Sequence, residues 1–234
     1  MTIFLRLTRA FAPIAFLLAP ATALACPLQF GIDDVAPEHA QADDPWIYRG
    51  TDIPVDAGWL MGELPNGLRY AVRENGVPPC QISMRVRIDA GSLHEEESER
   101  GFAHLVEHLT FRESRDFGPG EAIPHFQRLG AQLGSDTNAE TTATHTVYKL
   151  TLPNARRATL EESVRGFAGM IREPALSSDN LAADVPIVLS ERREQAGPDR
   201  RIAEGTRQTL FAGQRLANRS PIGTVATLEG ATSE

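Results

Sequence analysis

The sequence predicts an α+β fold, a mostly antiparallel sheet with helices packed on one face. Three stretches carry that expectation. Gln81 to Asp89 alternates strictly, with Ile82, Met84, Val86 and Ile88 on one side and Ser83, Arg85, Arg87 and Asp89 on the other. Period two is the signature of a half-buried strand. Asn66-Gly67 sits between two short apolar runs, which is a strong hairpin signal. Thr159 to Arg172 repeats its apolar residues at helical spacing, so an amphipathic helix is expected to cover the sheet. With 234 residues, 41% of them hydrophobic, the chain is large enough for one good-sized domain with its own core.

Residues 1–25 read as a secretory signal. Arg6 and Arg9 supply the positive start, Phe11 to Leu18 a short apolar stretch, and Ala23-Leu24-Ala25 a small-residue cleavage site. The apolar stretch is too short to span a bilayer. Export across the inner membrane follows, with the periplasm as the expected address. Cys26 comes directly after the cut and raises lipid anchoring, but Ala23 and Leu24 fit that pattern poorly. Cys80 is the other cysteine, and the two could pair in an oxidising compartment. The net charge is −8. An acidic chain is a poor partner for nucleic acid or an anionic membrane.

Residues 26–56 are rich in Pro, Asp and Ala without a clear period, and read as an extended segment before the domain proper at 57–234. Gly58 to Leu64 and Leu68 to Arg73 are the arms of the hairpin. The strand over Gln81 to Asp89 is followed by the charge run His94 to Arg100, whose acidic residues suit a helix start. Glu97 to Arg112 has helical character. Asp116 to Gly120 reads as a loop and Glu121 to Leu129 as a helix. Gly134 to Thr142 is polar and turn-rich by composition, and Ala143 to Leu152 is a strand. Ser178 to Ala196 is a further helix complicated by Pro186, which places its start near Asp184, acting as the cap. Ile187, Val188 and Leu189 then face the core. Ile202 to Leu216 is a last helical run, and Arg219 to Glu234 has no hydrophobic period.

The chemistry is concentrated in His104-Leu105-Val106-Glu107-His108. On a helix, positions i, i+3 and i+4 share a face, which sets His104, Glu107 and His108 side by side. Two imidazoles one turn apart can hold one Zn²⁺, and a carboxylate between them is placed to take a proton from a metal-activated water. The spacing is the inverted zinc-peptidase pattern His-x-x-Glu-His. A catalytic zinc needs a third protein ligand. His125, His145, Glu140, Asp184, Glu191 and Glu194 are all candidates, and spacing alone does not choose among them.

Gly101-x-x-His104-x-x-Glu107-His108-x-x-Phe111 resembles the motif of the M16 metallopeptidases, the pitrilysin, insulinase and mitochondrial processing peptidase family. Asn66-Gly67-Leu68-Arg69-Tyr70, Ala90-Gly91-Ser92 with Glu95, Asn138-Ala139-x-Thr141, Thr146-x-Tyr148 and Arg219-x-Pro221-Ile222-Gly223 are similar to its recurring blocks in the same order. The bacterial periplasmic branch fits best. The resemblance implies Glu191 as the third metal ligand and Glu107 as the base. It also implies an acidic supporting residue at Asp184, where the family normally has Glu. Asn138 and Ala139 match the segment with which the family pairs an extended peptide by strand addition. His145 matches no family role.

The expected function is therefore a zinc-dependent endopeptidase acting on peptides or unfolded polypeptide. Family members resemble a clamshell of paired halves. The resemblance implies that this chain is one metal-binding half-domain, truncated at its C-terminus and weak or inactive without a second half from the same gene or a separate chain. The alternative is a non-catalytic module that binds peptide or a partner subunit.

Overall fold

The computed structural model describes residues 46–233. The expected signal segment, Cys26 and most of the segment at 26–56 lie outside the described residues, as does any pairing of Cys26 with Cys80.

A two-stranded antiparallel hairpin comes first, with β1 at Leu60–Glu63 and β2 at Arg69–Val72. Its turn is set by Asn66, whose Oδ1 accepts from the Leu68 N–H, and by Gly67 at φ +85°. That left-handed conformation is one glycine adopts readily. The main sheet has three antiparallel strands in the order β3-β5-β4, from Ile82–Ile88, Thr146–Leu152 and Thr137–Thr141. The hairpin and this sheet are separate hydrogen-bonded units among the described residues. The antiparallel expectation holds in both.

Strand β5 organises the core because it is central. Tyr148, Leu150 and Leu152 on one face are all but fully buried. They meet Phe126 and Ala122 of helix α2 (Ala122–Arg128) and Phe167 and Met170 of helix α3 (Arg157–Arg172). Helix α1 (Phe102–Arg112) lies against the sheet as well, its Thr110 hydroxyl 3.1 Å from the Tyr148 hydroxyl. A second cluster joins α1 to α4 (Ser178–Glu194) and α6 (Val225–Glu229) through Leu105, Leu109, Leu181, Val188 and Leu228. Helix α1 thus sits between the sheet and α4.

Several expectations need correction. Thr137–Thr141, turn-rich by composition, is the edge strand β4, although Ala139 is its one apolar residue. Its inward side chains, Thr137, Ala139 and Thr141, alternate with the exposed Asn138 and Glu140. The Thr141 hydroxyl bonds Glu107 of α1, and Ala139 packs on the apolar cluster. Strand β5 consequently starts at Thr146, not Ala143.

Helix α4 runs unbroken through Pro186, with Ser177 as its cap and Asp184 in its interior. Proline removes the hydrogen bond to the carbonyl four residues earlier. Pro186 and Ala182 are both exposed, so water can satisfy that carbonyl. Leu181, Asp184 and Val188 form the buried stripe, whereas Ile187 is 47% exposed and does not face the core.

Gly101, at φ +101°, separates α1 from a short 3-10 turn at Glu97–Glu99, so Glu97 to Arg112 is not one helix. The last long helix is α5 (Pro198–Leu210), opened by Pro198 at its first position, and a 3-10 turn follows at Arg215–Asn218. The tail without a hydrophobic period contains α6, capped by Thr224.

Candidate metal centre

Helix α1 begins in a built socket. The Glu95 carboxylate, 5% exposed, accepts from the Gly101 N–H and the Ala103 N–H, each at 2.9 Å. It neutralises the unpaired donors of the first turn and places negative charge at the positive end of the helix. Gly101 packs against Gly223, where a Cβ on either residue would stand under 3.0 Å from the other's backbone. The Ser92 hydroxyl donates to the Arg219 carbonyl at 3.0 Å, tying the same region to the chain after α5. Glu95 belongs to a run that composition reads as solvated or helix-starting. The helix start is the part realised.

One turn further on, His104 and His108 stand with ring centroids 4.8 Å apart at 82°. Glu191, from the last turns of α4, reaches them both. Its Oε2 is 3.6 Å from His104 Nε2 and 3.4 Å from His108 Nε2. The α4 stripe of Leu181, Asp184 and Val188 continues at helical spacing to Glu191, so packing α4 on α1 carries that carboxylate to the imidazoles. The ligand atoms of the three residues all lie within 4.8 Å of one another. Ligands bound at about 2.0–2.2 Å to one tetrahedral zinc stand about 3.3–3.6 Å apart, so both imidazole–carboxylate separations fit a shared ion. Burial, then the neighbouring His108, lowers the His104 pKa to about 4, with Glu191 opposing. The ring is therefore the neutral imidazole a metal requires. This cluster could hold a metal ion.

Glu107 is 8% exposed and lies beside the cluster. Burial raises its pKa. A hydrogen bond from Thr141 and the nearby His108 lower it, and Glu191 and Glu140 raise it further. Thr141 Oγ1 donates to Glu107 Oε2 at 2.5 Å. Asp184 lies one turn behind Val188 and faces Arg112 of α1, not the imidazoles. Arg112 Nε donates to Asp184 Oδ2 at 2.5 Å and Nη2 to Oδ1 at 2.8 Å.

A cleft of about 540 Å³ opens in front of these groups. His104, Glu107, His108 and Glu191 form its floor, Asn138 and Ala139 of β4 one wall, and Arg200 and Arg207 of α5 the other. Of the other third-ligand candidates, His125 packs at a 52° tilt against Phe117 at a centroid distance of 5.0 Å and is absent from the cluster. His145 Nδ1 contacts the hydroxyls of Thr142 and Thr144. Glu140 lines the cleft but is absent from the cluster, as is Glu194. Sequence reasoning gave no role to Arg112 or Thr141. A basic residue one turn after His108 is the faint signal for Arg112, and the Thr-x-Ala-x-Thr alternation of β4 is the signal for Thr141.

The model of the insulinase family, peptidase family M16, matches residues 71–220. The probable zinc protease PqqL of Escherichia coli K12 is 31% identical over 179 residues, which are 75% of this chain and 19% of that protein. The crystal structure of the periplasmic protease PqqL from Escherichia coli superposes with a TM-score of 0.73 at 30% identity, covering 77% of this chain and 20% of that one. The crystal structure of the first half of the same protease gives the same TM-score and identity, and the matched region is 39% of its chain. The chain thus spans about a fifth of the length of the full proteins it matches.

Proposed function

The chain belongs to peptidase family M16, the insulinase family, and from that premise we propose that it carries the metal-binding part of a zinc-dependent endopeptidase. The observation behind this reading is the meeting of His104, His108 and Glu191 beside the buried carboxylate of Glu107. His104, His108 and Glu191 would hold Zn²⁺. When bound there, zinc supplies Lewis acidity, bringing a water's pKa down to about 7 and polarising a carbonyl.

Glu107 is the general base. Its burial makes it more basic than an exposed glutamate, and it lines the cleft next to the ligands. It takes the proton of the attacking water and returns it to the leaving amine. Asn138 and Ala139 lie on the edge strand β4, paired on one side to β5; among the described residues no strand runs along its other side, where only Thr137 is bridged, to Leu133, and an extended peptide would add beyond it. Backbone hydrogen bonds along that edge would align the scissile carbonyl with the base. The substrate class is therefore peptide or unfolded polypeptide.

Asp184 supports the site through Arg112, by fixing α4 on α1. Residues 57–234 form the metal-binding part of a half-domain, the match being 39% of the first-half structure, and a second half, from the same gene or a separate chain, closes the open side of the cleft. The pattern of residues 1–25 and the likeness to a periplasmic protease support export to the periplasm. Among the described residues no helix is long and apolar enough to cross a membrane.

The test is hydrolysis of an unfolded peptide by the full-length protein before and after Glu107→Gln. Loss of turnover with zinc retained is expected. Undiminished turnover in the variant would overturn the assignment.

A further inference from the structure

We propose that Thr141 is a positioning residue for Glu107, coupling the peptide-accepting strand to the base. This rests on the reading of Glu107 given above. The 2.5 Å separation of Thr141 Oγ1 from Glu107 Oε2 falls in the range of a hydroxyl donating to an ionised carboxylate, about 2.5–2.7 Å.

The proton inventory gives the bond a direction. Thr141 has one hydroxyl proton, and the carboxylate takes it. Thr146 lies directly across the β4–β5 ladder, its Oγ1 3.2 Å from Thr141 Oγ1 and 3.0 Å from the Ala90 carbonyl. Thr146 donates to the Ala90 carbonyl, so its oxygen packs against Thr141 without a proton between them, and the Thr141 proton points at Glu107. Among the described residues Glu107 Oε1 accepts no hydrogen bond. One carboxylate oxygen is thus fixed by the sheet and the other is left free to accept a proton.

The placement links binding to chemistry. Thr141 is two residues from Ala139 on the same short strand, and its side chain shares the inward face with Ala139 and Thr137. A peptide added to the outer edge of β4 therefore pairs with the strand that orients the base. Thr141 lines the cleft beside Glu107 but is no member of the metal cluster. Its effect passes through Glu107.

The experiment compares Thr141→Val and Thr141→Ser in the zinc-loaded full-length protein. Valine keeps the β-branched shape and removes the donor, whereas serine keeps the donor. The expected result for valine is a fall in kcat of about tenfold to a hundredfold, part of the gain a positioned base provides. KM should change less than about twofold and the zinc content should stay the same. Serine should restore most of the lost kcat. A purely structural role for Thr141 would raise KM instead, by disturbing the edge strand.

Crystal structures of the two zinc-loaded variants give a readout free of turnover. The Glu107 carboxylate should leave its present position in the valine protein and keep it in the serine protein. An unmoved carboxylate in the valine protein, or wild-type kcat, overturns the proposal. If the wild-type protein hydrolyses no peptide even together with its second half, the functional reading fails, and the two crystal structures still decide the role of Thr141.

Discussion

Arg112 and Asp184 form a two-pronged ion pair that fastens helix α1 to helix α4, 2.5 Å from Nε to Oδ2 and 2.8 Å from Nη2 to Oδ1. The two His side chains come from α1 and the carboxylate that meets them comes from α4, so this pair, together with the apolar cluster of Leu105, Leu109, Leu181 and Val188, holds them at their mutual distance. The Asp184 side chain is 5% exposed and that of Arg112 27%. Removing one partner of a fully buried pair costs about 3–5 kcal/mol, and the partial exposure of Arg112 reduces this to about 2 kcal/mol for Asp184→Ala. Urea unfolding should show that loss, and a competing chelator should show zinc affinity lower by about tenfold. Replacing both partners with apolar residues, Arg112→Met with Asp184→Leu, should recover most of the stability.

Glu191 should matter to the metal more than to the fold. It is partly exposed, and the packing of α4 depends on Leu181 and Val188. Glu191→Gln should leave the unfolding midpoint nearly unchanged while zinc affinity drops on the order of a hundredfold, since two imidazoles alone make an incomplete site. Isothermal titration with zinc measures this directly.

Gly223 is expected to be intolerant of any side chain. At φ +68° an added Cβ would lie 2.3 Å from the Arg100 carbonyl oxygen and 2.5 Å from Gly101 Cα. Backbone strain alone costs about 1–3 kcal/mol, and relieving the clash must move the first turn of α1. Gly223→Ala should therefore lower both thermal stability and zinc binding. Circular dichroism melts and zinc analysis of one preparation test both parts.

Chelation should strip the metal without unfolding the chain. Helices α1 and α4 share an apolar cluster of Leu105, Leu109, Leu181, Val188 and Leu228 that owes nothing to the site. Bound zinc at a thousandfold above its dissociation constant adds about 4 kcal/mol. EDTA should lower the melting temperature and leave the far-ultraviolet helical signal intact at room temperature. Loss of helix on chelation would mean that the metal holds the fold.

Local pattern made some of this structure legible in the sequence and left the rest obscure. The α1 helix was readable because His104, Glu107 and His108 obey a spacing that needs only one turn to be realised. Strand β3 and helix α3 were readable because one period runs their whole length. Strand β4 was not, because its inward residues are Thr137, Ala139 and Thr141, which make no apolar alternation. Helix α4 was misjudged at Pro186, since the exposure that makes a proline tolerable is a property of the packed molecule. The approach of Glu191 to the histidines depends on how α4 lies across α1. No local spacing encodes it, and only the family resemblance singled it out from the other candidates.

Zinc stoichiometry tests the central claim most directly. Purified wild-type protein and His108→Ala, each dialysed against trace zinc, are compared by inductively coupled plasma mass spectrometry. The prediction is about one zinc per chain in the wild type and a small fraction of that in the variant, since a complete site needs three protein ligands. Wild-type protein without zinc, or equal zinc in both, would contradict it.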